Sequence, residues 1–433
     1  MLSTKNNKIN VITLGCWKNV VDSENLLGQL TLNNAAIVDD VESADTVVIN
    51  TCGFIDAAKQ ESIDTIVEAV DRKAAGKLKK VVVMGCLAER YRSDLAGEIP
   101  DVDAYFGTNQ LSEVIKALDF NYKYELLGER VVSTPPHFAY LKISEGCDHP
   151  CSFCAIPLMR GKHRTKPHDD VLTEARMLAR QGVKELILIA QDSTYYGLDL
   201  YGERMLDKLL EELCTVDGIE WIRLMYAYPT KFPREILSVM KSNPKLCRYL
   251  DIPVQHASDE VLKSMRRGIT NRALRELLAT VKSEIPDIAL RTTLIVGYPN
   301  ETEEDFQTLC DFVREVKFHR LGVFTYSQEE GTTADPLGDP IPKAIKEERR
   351  STIMEIQQEI SEERNSALVG SSARLLIDRH EASFAVGRTQ WDAPEIDQEV
   401  YVKNGLQLRP GNFYDARIVD AIEYDLYAER VSN

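Results

Sequence analysis

Three times in its first ninety residues the chain runs through an apolar, β-type stretch, ends it on a cysteine and passes into a helix-like segment. The stretches are INVITLGC, DTVVINTC and KKVVVMGC, and they deliver Cys16, Cys52 and Cys86 at intervals of 36 and 34 residues. Such an interval accommodates a strand, a crossover helix and the return to a neighbouring strand. Strands joined in this way are parallel, and open α/β sheets collect their functional side chains at the carboxyl edge. Neighbouring strands stand about 4.8 Å apart, so thiols at three strand ends can converge on one small inorganic object.

The alternation continues from about Phe138 to Gln328 with six more β-type runs: AYLKIS, ELILIAQD, WIRLMYAYP, YLDIPVQ, LRTTLIVGYP and LGVFTYS. Helical patterns such as PHDDVLTEARMLARQG separate them, which predicts an incomplete version of the eight-stranded α/β barrel with chemistry at the carboxyl ends of its strands. Glycines and prolines in GTTADPLGDPIPK break the pattern, and AIKEERRSTIMEIQQEISEERNSAL then reads as a connecting helix packed on the barrel. Short alternating runs from Val369 onward fit a small β-barrel. The expected fold is α/β in three parts: a parallel-sheet domain over 1–125, a partial (βα)6 barrel with its helix over 133–366, and a β-barrel over 367–433.

A chain of 433 residues is long enough for several cores. Its 52 Lys and Arg against 68 Asp and Glu leave a net charge of -16, which argues against gripping nucleic acid by its phosphates and suits a basic partner. The opening MLSTKNNKIN is polar and no eighteen consecutive residues are apolar, so neither secretion nor a membrane span is expected, and the chain reads as cytoplasmic. Nine cysteines in a reducing compartment point to metal ligands, reactive thiols or core packing. Cys214, Cys247 and Cys310, in helical or helix-end contexts, read as core.

The first barrel-type strand is followed by CDHPCSFC, which groups Cys147, Cys151 and Cys154. Short thiolate loops of this kind wrap iron–sulfur clusters, and three thiolates on a four-iron cubane leave one iron open. Zinc is the alternative, but its closed tetrahedron would need His149, which sits between the first two cysteines where simultaneous ligation is awkward. The loop, with Phe153 ahead of its third cysteine, resembles the CxxxCxxC signature of the radical S-adenosylmethionine (SAM) superfamily. That resemblance implies that SAM chelates the open iron and is cleaved reductively to a 5'-deoxyadenosyl radical. Other strand ends then become candidates for the SAM pocket: Gln191 beside Asp192, Gln255, Arg291, and Gly297, whose turn lets backbone approach a ligand. Each is equally compatible with an ordinary barrel or rim contact.

With Cys16, Cys52 and Cys86 as a second triad, essentially the whole chain resembles the radical SAM methylthiotransferase family. The resemblance implies an N-terminal domain with an auxiliary 4Fe-4S cluster on these cysteines, a radical SAM partial barrel with a 4Fe-4S cluster on Cys147, Cys151 and Cys154, and a C-terminal TRAM domain. One branch of the family modifies an adenosine in tRNA, the other an aspartate in the twelfth protein of the small ribosomal subunit. LGCWKNVVDSE resembles the LGCPKNLVDSE opening of the protein-modifying branch, whereas the tRNA branch has a GCQMN version; Trp17 replaces the proline, a change expected to affect only the turn. The segment from Gly387 to Asp397, GRTQWDAPEID, resembles the DAPEID stretch of the same branch. Residues 367–433 carry eleven Asp and Glu against seven Lys and Arg, so the domain should attract a basic protein and repel RNA. The resemblance therefore implies transfer of a methylthio group to an aspartate β-carbon, and a flavodoxin-like or ferredoxin-like reductant. Asp392, Glu395 and Asp397 are the expected docking contacts for the basic substrate protein.

Overall fold

The computed structural model describes residues 7–123 and 130–431; the first six residues of the polar opening, and the boundary expected at 125, lie outside the described residues. Strands β1 (Lys8–Thr13), β2 (Ala36–Ile37), β3 (Thr46–Thr51), β4 (Lys80–Gly85) and β5 (Ala104–Tyr105) form a parallel sheet in the order β2-β1-β3-β4-β5. The three cysteine-ended strands are therefore immediate neighbours. Their registers pair Thr13 with Asn50 and Asn50 with Met84, so the three strand ends are level. Every residue of β3 is buried, as expected for a central parallel strand covered on both faces. β2 and β5 are two-residue edge strands, too short to leave an alternating pattern in the sequence.

The six predicted barrel strands all form: β6 (Phe138–Lys142), then, beyond the short antiparallel pair β7 (Ser144–Glu145) and β8 (Arg164–Thr165), β9 (Glu185–Ile189), β10 (Trp221–Leu224), β11 (Leu246–Asp251), β12 (Ala289–Val296) and β13 (Arg320–Thr325). They make one six-stranded parallel sheet in chain order. Side chains alternate across it. Leu186, Leu188, Ile222, Leu224 and Leu290 enter the core shared with the surrounding helices, while Phe138, Tyr140, Ile187 and Tyr249 face the other way. The connecting helix Lys343–Leu368 starts behind Pro342 and packs Ile353, Ile356 and Ile360 onto that core. Cys310 and Cys214 take the core-type helical places expected of them, but Cys247 lies within β11, its thiol packed on the opposite face of the sheet.

Strands β14 (Ser372–Glu381), β15 (Phe384–Arg388), β16 (Val400–Lys403), β17 (Phe413–Ala421) and β18 (Leu426–Arg430) close a barrel in the order β14-β15-β16-β18-β17. This domain covers the amino-terminal ends of the central strands. Glu185, at the start of β9 and fully buried, accepts from Arg223 Nε at 2.7 Å and from Arg388 Nη1 at 2.8 Å. Arg388 also donates to Asp378, which receives His137 Nε2 at 2.8 Å.

The same interface corrects the docking role expected of the DAPEID segment. Asp392 is 1 % exposed, paired with Arg320 and hydrogen-bonded to Thr389. The Asp397 side chain is buried, accepts from Tyr249 Oη at 2.7 Å and lies 3.6 Å from Arg291 Nε. Both carboxylates are turned inward because the central strands present a row of arginines that would otherwise be desolvated without counter-charge. Glu395 stays exposed, yet it too has partners within the chain, Trp17 Nε1 and Tyr140 Oη. Among the described residues no helix is long and apolar enough to cross a membrane.

Candidate active site

The first cysteine triad is built by the sheet. Cys16 follows β1 at the head of helix α1 (Trp17–Leu32), Cys52 follows β3 ahead of α2 (Asp56–Ala74), and Cys86 opens α3 (Cys86–Glu98) directly after β4. Gly15 has a positive φ of 87°, and a Cβ there would stand 2.5 Å from Cys52 Cβ and 2.7 Å from its sulfur. Glycine before Cys16 is thus what lets the first two thiol-bearing strand ends close together. Burial raises the Cys52 thiol and pushes Cys86 up to about 12. Such thiols keep their protons unless a strong positive centre replaces them, the behaviour of a thiolate set that is deprotonated by iron.

The second triad is held by the β7–β8 pair and by helix α5 (Ile156–Arg160), α4 (Leu111–Ala117) having closed the N-terminal domain. Cys147 N–H donates to Gly161 O at 3.1 Å and Cys154 N–H to Cys151 O at 3.2 Å, which curls the loop on itself. Its tip is pinned by Ser152, whose N–H reaches Met265 O at 3.0 Å and whose hydroxyl meets Tyr298 Oη at 2.9 Å; Phe153 packs into the apolar cluster around Tyr298 and Tyr326. Burial pushes Cys147 and Cys154 up to about 12. Cys151 receives Arg267 Nη1 at 3.3 Å and lies 3.4 Å from Tyr228 Oη.

The donor sets fit clusters better than a zinc ion. His149, the fourth ligand zinc would need, is committed elsewhere: Nε2 lies 2.6 Å from Asp192 Oδ2 and the ring stacks on Tyr228 at 3.6 Å. Among the described residues no three His, Cys, Asp or Glu side chains converge as one metal ion requires.

A polar network borders the first triad and is anchored on helix α5, which follows the second triad's loop. Arg160, 2 % exposed, donates to Asp22 at 2.7 Å, to Glu145 at 2.9 Å and to Asn19, and its charge acts on both Cys86 and Cys16. Lys142 pairs with the same two carboxylates, Asp22 and Glu145. Burial works against the charge on Glu145, but Lys142 and Arg160 hold its carboxyl down at about 2. The end of β10 contributes a tyrosine to each side: Tyr226 lies under the Lys18 ammonium, two residues from Cys16, and Tyr228 touches Cys151. Trp17 does more than shape a turn. Its ring stacks on Tyr140 at 5.0 Å and its Nε1 donates to Glu395, so it joins the N-terminal domain to both other domains.

Two of the four candidate SAM contacts retain a place in this site. Gln191 donates to Glu145 at 2.7 Å and leaves its buried Oε1 without a partner among the described residues. Gln255 adopts a positive φ of 73°, held by backbone bonds to Thr293 and Ile295, and its buried Oε1 is likewise unmatched. Strained backbone of this kind persists where the surroundings enforce it, commonly at ligand sites. The other two are corrections. Arg291 is the third residue of β12 rather than a strand-end residue; it pairs with Asp251 and Asp397 and lines a separate cavity of about 320 Å³ beside the C-terminal barrel. Gly297 does have a positive φ of 74°, but the space its missing Cβ leaves is filled by the Lys346 stem from the connecting helix, not by a ligand. Sequence reasoning missed Lys18, Asn19, Asp22, Glu145, Arg160, Tyr228 and Arg267. Only the first three carried a signal, their place in the LGCWKNVVDSE motif.

An open sheet of six parallel strands with a three-cysteine loop behind the first defines the radical SAM class. In agreement, the radical SAM superfamily model matches residues 141–313, flanked by the family described as Uncharacterized protein family UPF0004 over 8–107 and a TRAM domain over 369–431. The solved radical SAM methyltransferase TsrM from Kitasatospora setae shares this fold with a TM-score of 0.55 at 14 % identity, covering 76 % of this chain and 77 % of that one. Two proteins named ribosomal protein uS12 methylthiotransferase RimO are much closer. That of Christiangramia forsetii is 55 % identical over 99 % of this chain and 95 % of its own length, and that of Chloroherpeton thalassium is 55 % identical over 99 % and 100 %. The chain belongs to the RimO family of ribosomal protein uS12 methylthiotransferases.

Proposed function

We propose that this chain adds a methylthio group to the β-carbon of an aspartate in ribosomal protein uS12, in the cytoplasm and with a flavodoxin-like or ferredoxin-like reductant. The observation that carries the reading is the pair of cysteine triads, the first beside buried Arg160 from the helix that follows the second triad's loop, in a chain similar to RimO proteins over nearly its whole length. Cys147, Cys151 and Cys154 would hold one 4Fe-4S cluster, and Cys16, Cys52 and Cys86 a second. Bound there with SAM, these groups supply reductive SAM cleavage, hydrogen-atom abstraction from an unactivated CH2, and the sulfur, chemistry that amino-acid side chains lack.

The residues of the chain position and insulate. Arg160 places a fixed positive charge beside Cys86, which works against burial and favours its thiolate form. Arg267 and Tyr228 orient the Cys151 sulfur by hydrogen bonding, the role of outer-shell groups around ligands generally. The unmatched carboxamide oxygens of Gln191 and Gln255 suit the amino and hydroxyl groups of SAM. Substrate attraction falls to the exposed acids of the TRAM domain, such as Asp415, Asp420 and Glu429, because Asp392 and Asp397 are internally committed.

The test is mass spectrometry of uS12 from cells with and without this gene. A methylthio adduct on an aspartate only when the gene is present is expected; an adduct that persists without it, or none in either, overturns the reading. An anaerobic 5'-deoxyadenosine assay with dithionite checks the radical SAM half separately.

A further inference from the structure

Of the buried cations among the described residues, Arg130, Arg160, Arg223, Lys346, Arg349 and Arg388 each pair with a carboxylate. Arg267 gives its guanidinium to the Cys151 sulfur and to Pro253 O. Lys18 is different: 8 % exposed, it makes no direct hydrogen bond or ion pair among the described residues, the Glu145 and Asp251 charges acting on it only from beyond contact, and its ammonium rests over the Tyr226 ring at 3.4 Å. A largely desolvated ammonium without a direct ion pair is costly, and Lys18 occupies the second position of α1, where the helix dipole disfavours a cation. Both penalties disappear when an anion arrives. The place is also specific, since Lys18 is two residues from Cys16, and Tyr226 beneath it is two residues from Tyr228 at Cys151. Trp17, Tyr140 and Tyr226 supply aromatic walls beside it.

We propose that the Lys18 ammonium binds the side-chain carboxylate of the substrate aspartate and so presents its β-carbon between the two cysteine triads. This rests on the aspartate-modifying reading above and adds the residue that recognises the acid. The test uses full-length, anaerobically reconstituted enzyme and fluorescein-labelled uS12, in its natural form and with the target aspartate replaced by asparagine, and reads binding by anisotropy. Wild type is expected to prefer the aspartate form by about thirtyfold, the size of a partly buried charge-assisted contact. Lys18→Met and Lys18→Gln bind both forms alike, while Lys18→Arg keeps most of the preference; iron content and a thermal melt identify any variant that has not assembled. A preference that survives in either neutral variant with full iron overturns the proposal. So does a wild-type enzyme that forms the methylthio adduct yet binds both forms equally, and that result leaves the function standing. Absence of any adduct on uS12 overturns the function itself, and this assignment with it.

Discussion

The central barrel is gripped from two sides, and the two interfaces treat buried charge differently. Against the TRAM domain each buried ion has an opposite: Glu185 serves Arg223 and Arg388, Asp378 serves Arg388 and His137, and Asp392 serves Arg320. Against the N-terminal domain, paired ions such as Arg160 with Asp22 and Arg90 with Glu329 surround a centre where Lys18 has no direct ion pair and the Cys52 and Cys86 thiols are desolvated. Full pairing marks an interface whose work is to stay closed. Incomplete pairing marks one that is completed by something the chain does not contain.

The strongest way to break this contrast is to remove a thiol. Cys16→Ala and Cys147→Ala are each expected to abolish methylthio transfer while keeping part of the iron, because the triads sit on separate elements; loss of all iron from either variant, read by metal analysis, refutes independent sites. Next in size is Glu185→Ala, which leaves the buried Arg223 guanidinium without a carboxylate and takes one of two from Arg388, and should cost about 3–5 kcal/mol in chemical denaturation. A change below 1 kcal/mol would show that the TRAM interface is not held by its charges.

A smaller effect is expected from acid. Burial alone would raise the Asp378 carboxyl, yet the Arg388 charge and hydrogen bonds from His137 and Arg388 hold it at about 2, against an ordinary 3.8. Its contribution to stability, about 2 kcal/mol, is complete above the ordinary value and is lost as pH falls from there through about 2. Asp378→Asn should flatten the acid limb of the stability profile across that window. Smallest is Lys18→Met, expected to leave the melting temperature unchanged or raise it slightly, since it removes an unpaired charge; a drop of several degrees would mean that Lys18 is structural and the contrast false.

Much of the architecture was legible because its signals are local. Alternating apolar runs, their spacing, and glycine and proline breaks yielded the nine principal strands of the first two domains, the connecting helix and the closing β-barrel, and the cysteine spacing located both triads. Residues whose roles depend on distant partners were not legible. Arg291 and Gly297 looked like rim residues, but Asp397, 106 residues beyond Arg291, and Lys346 from the connecting helix occupy them. Asp392 and Asp397 of the DAPEID segment read as a solvated surface until two central arginines, Arg320 and Arg291, and Tyr249 were set opposite.

The sequence by itself determined which strands form, where six thiols emerge and which family the motifs resemble, because periodicity and ligand spacing act over a few residues at a time. Only the tertiary structure decided which charges find partners. Pairing depends on side chains that meet from distant positions, as Arg160 meets Asp22 across 138 residues and Trp17 meets Glu395 across 378, and on the desolvation that makes an unpaired ammonium costly. That is why Lys18 is only one lysine in a motif when read along the chain, and becomes the unmatched cation of the site once the domains close around it.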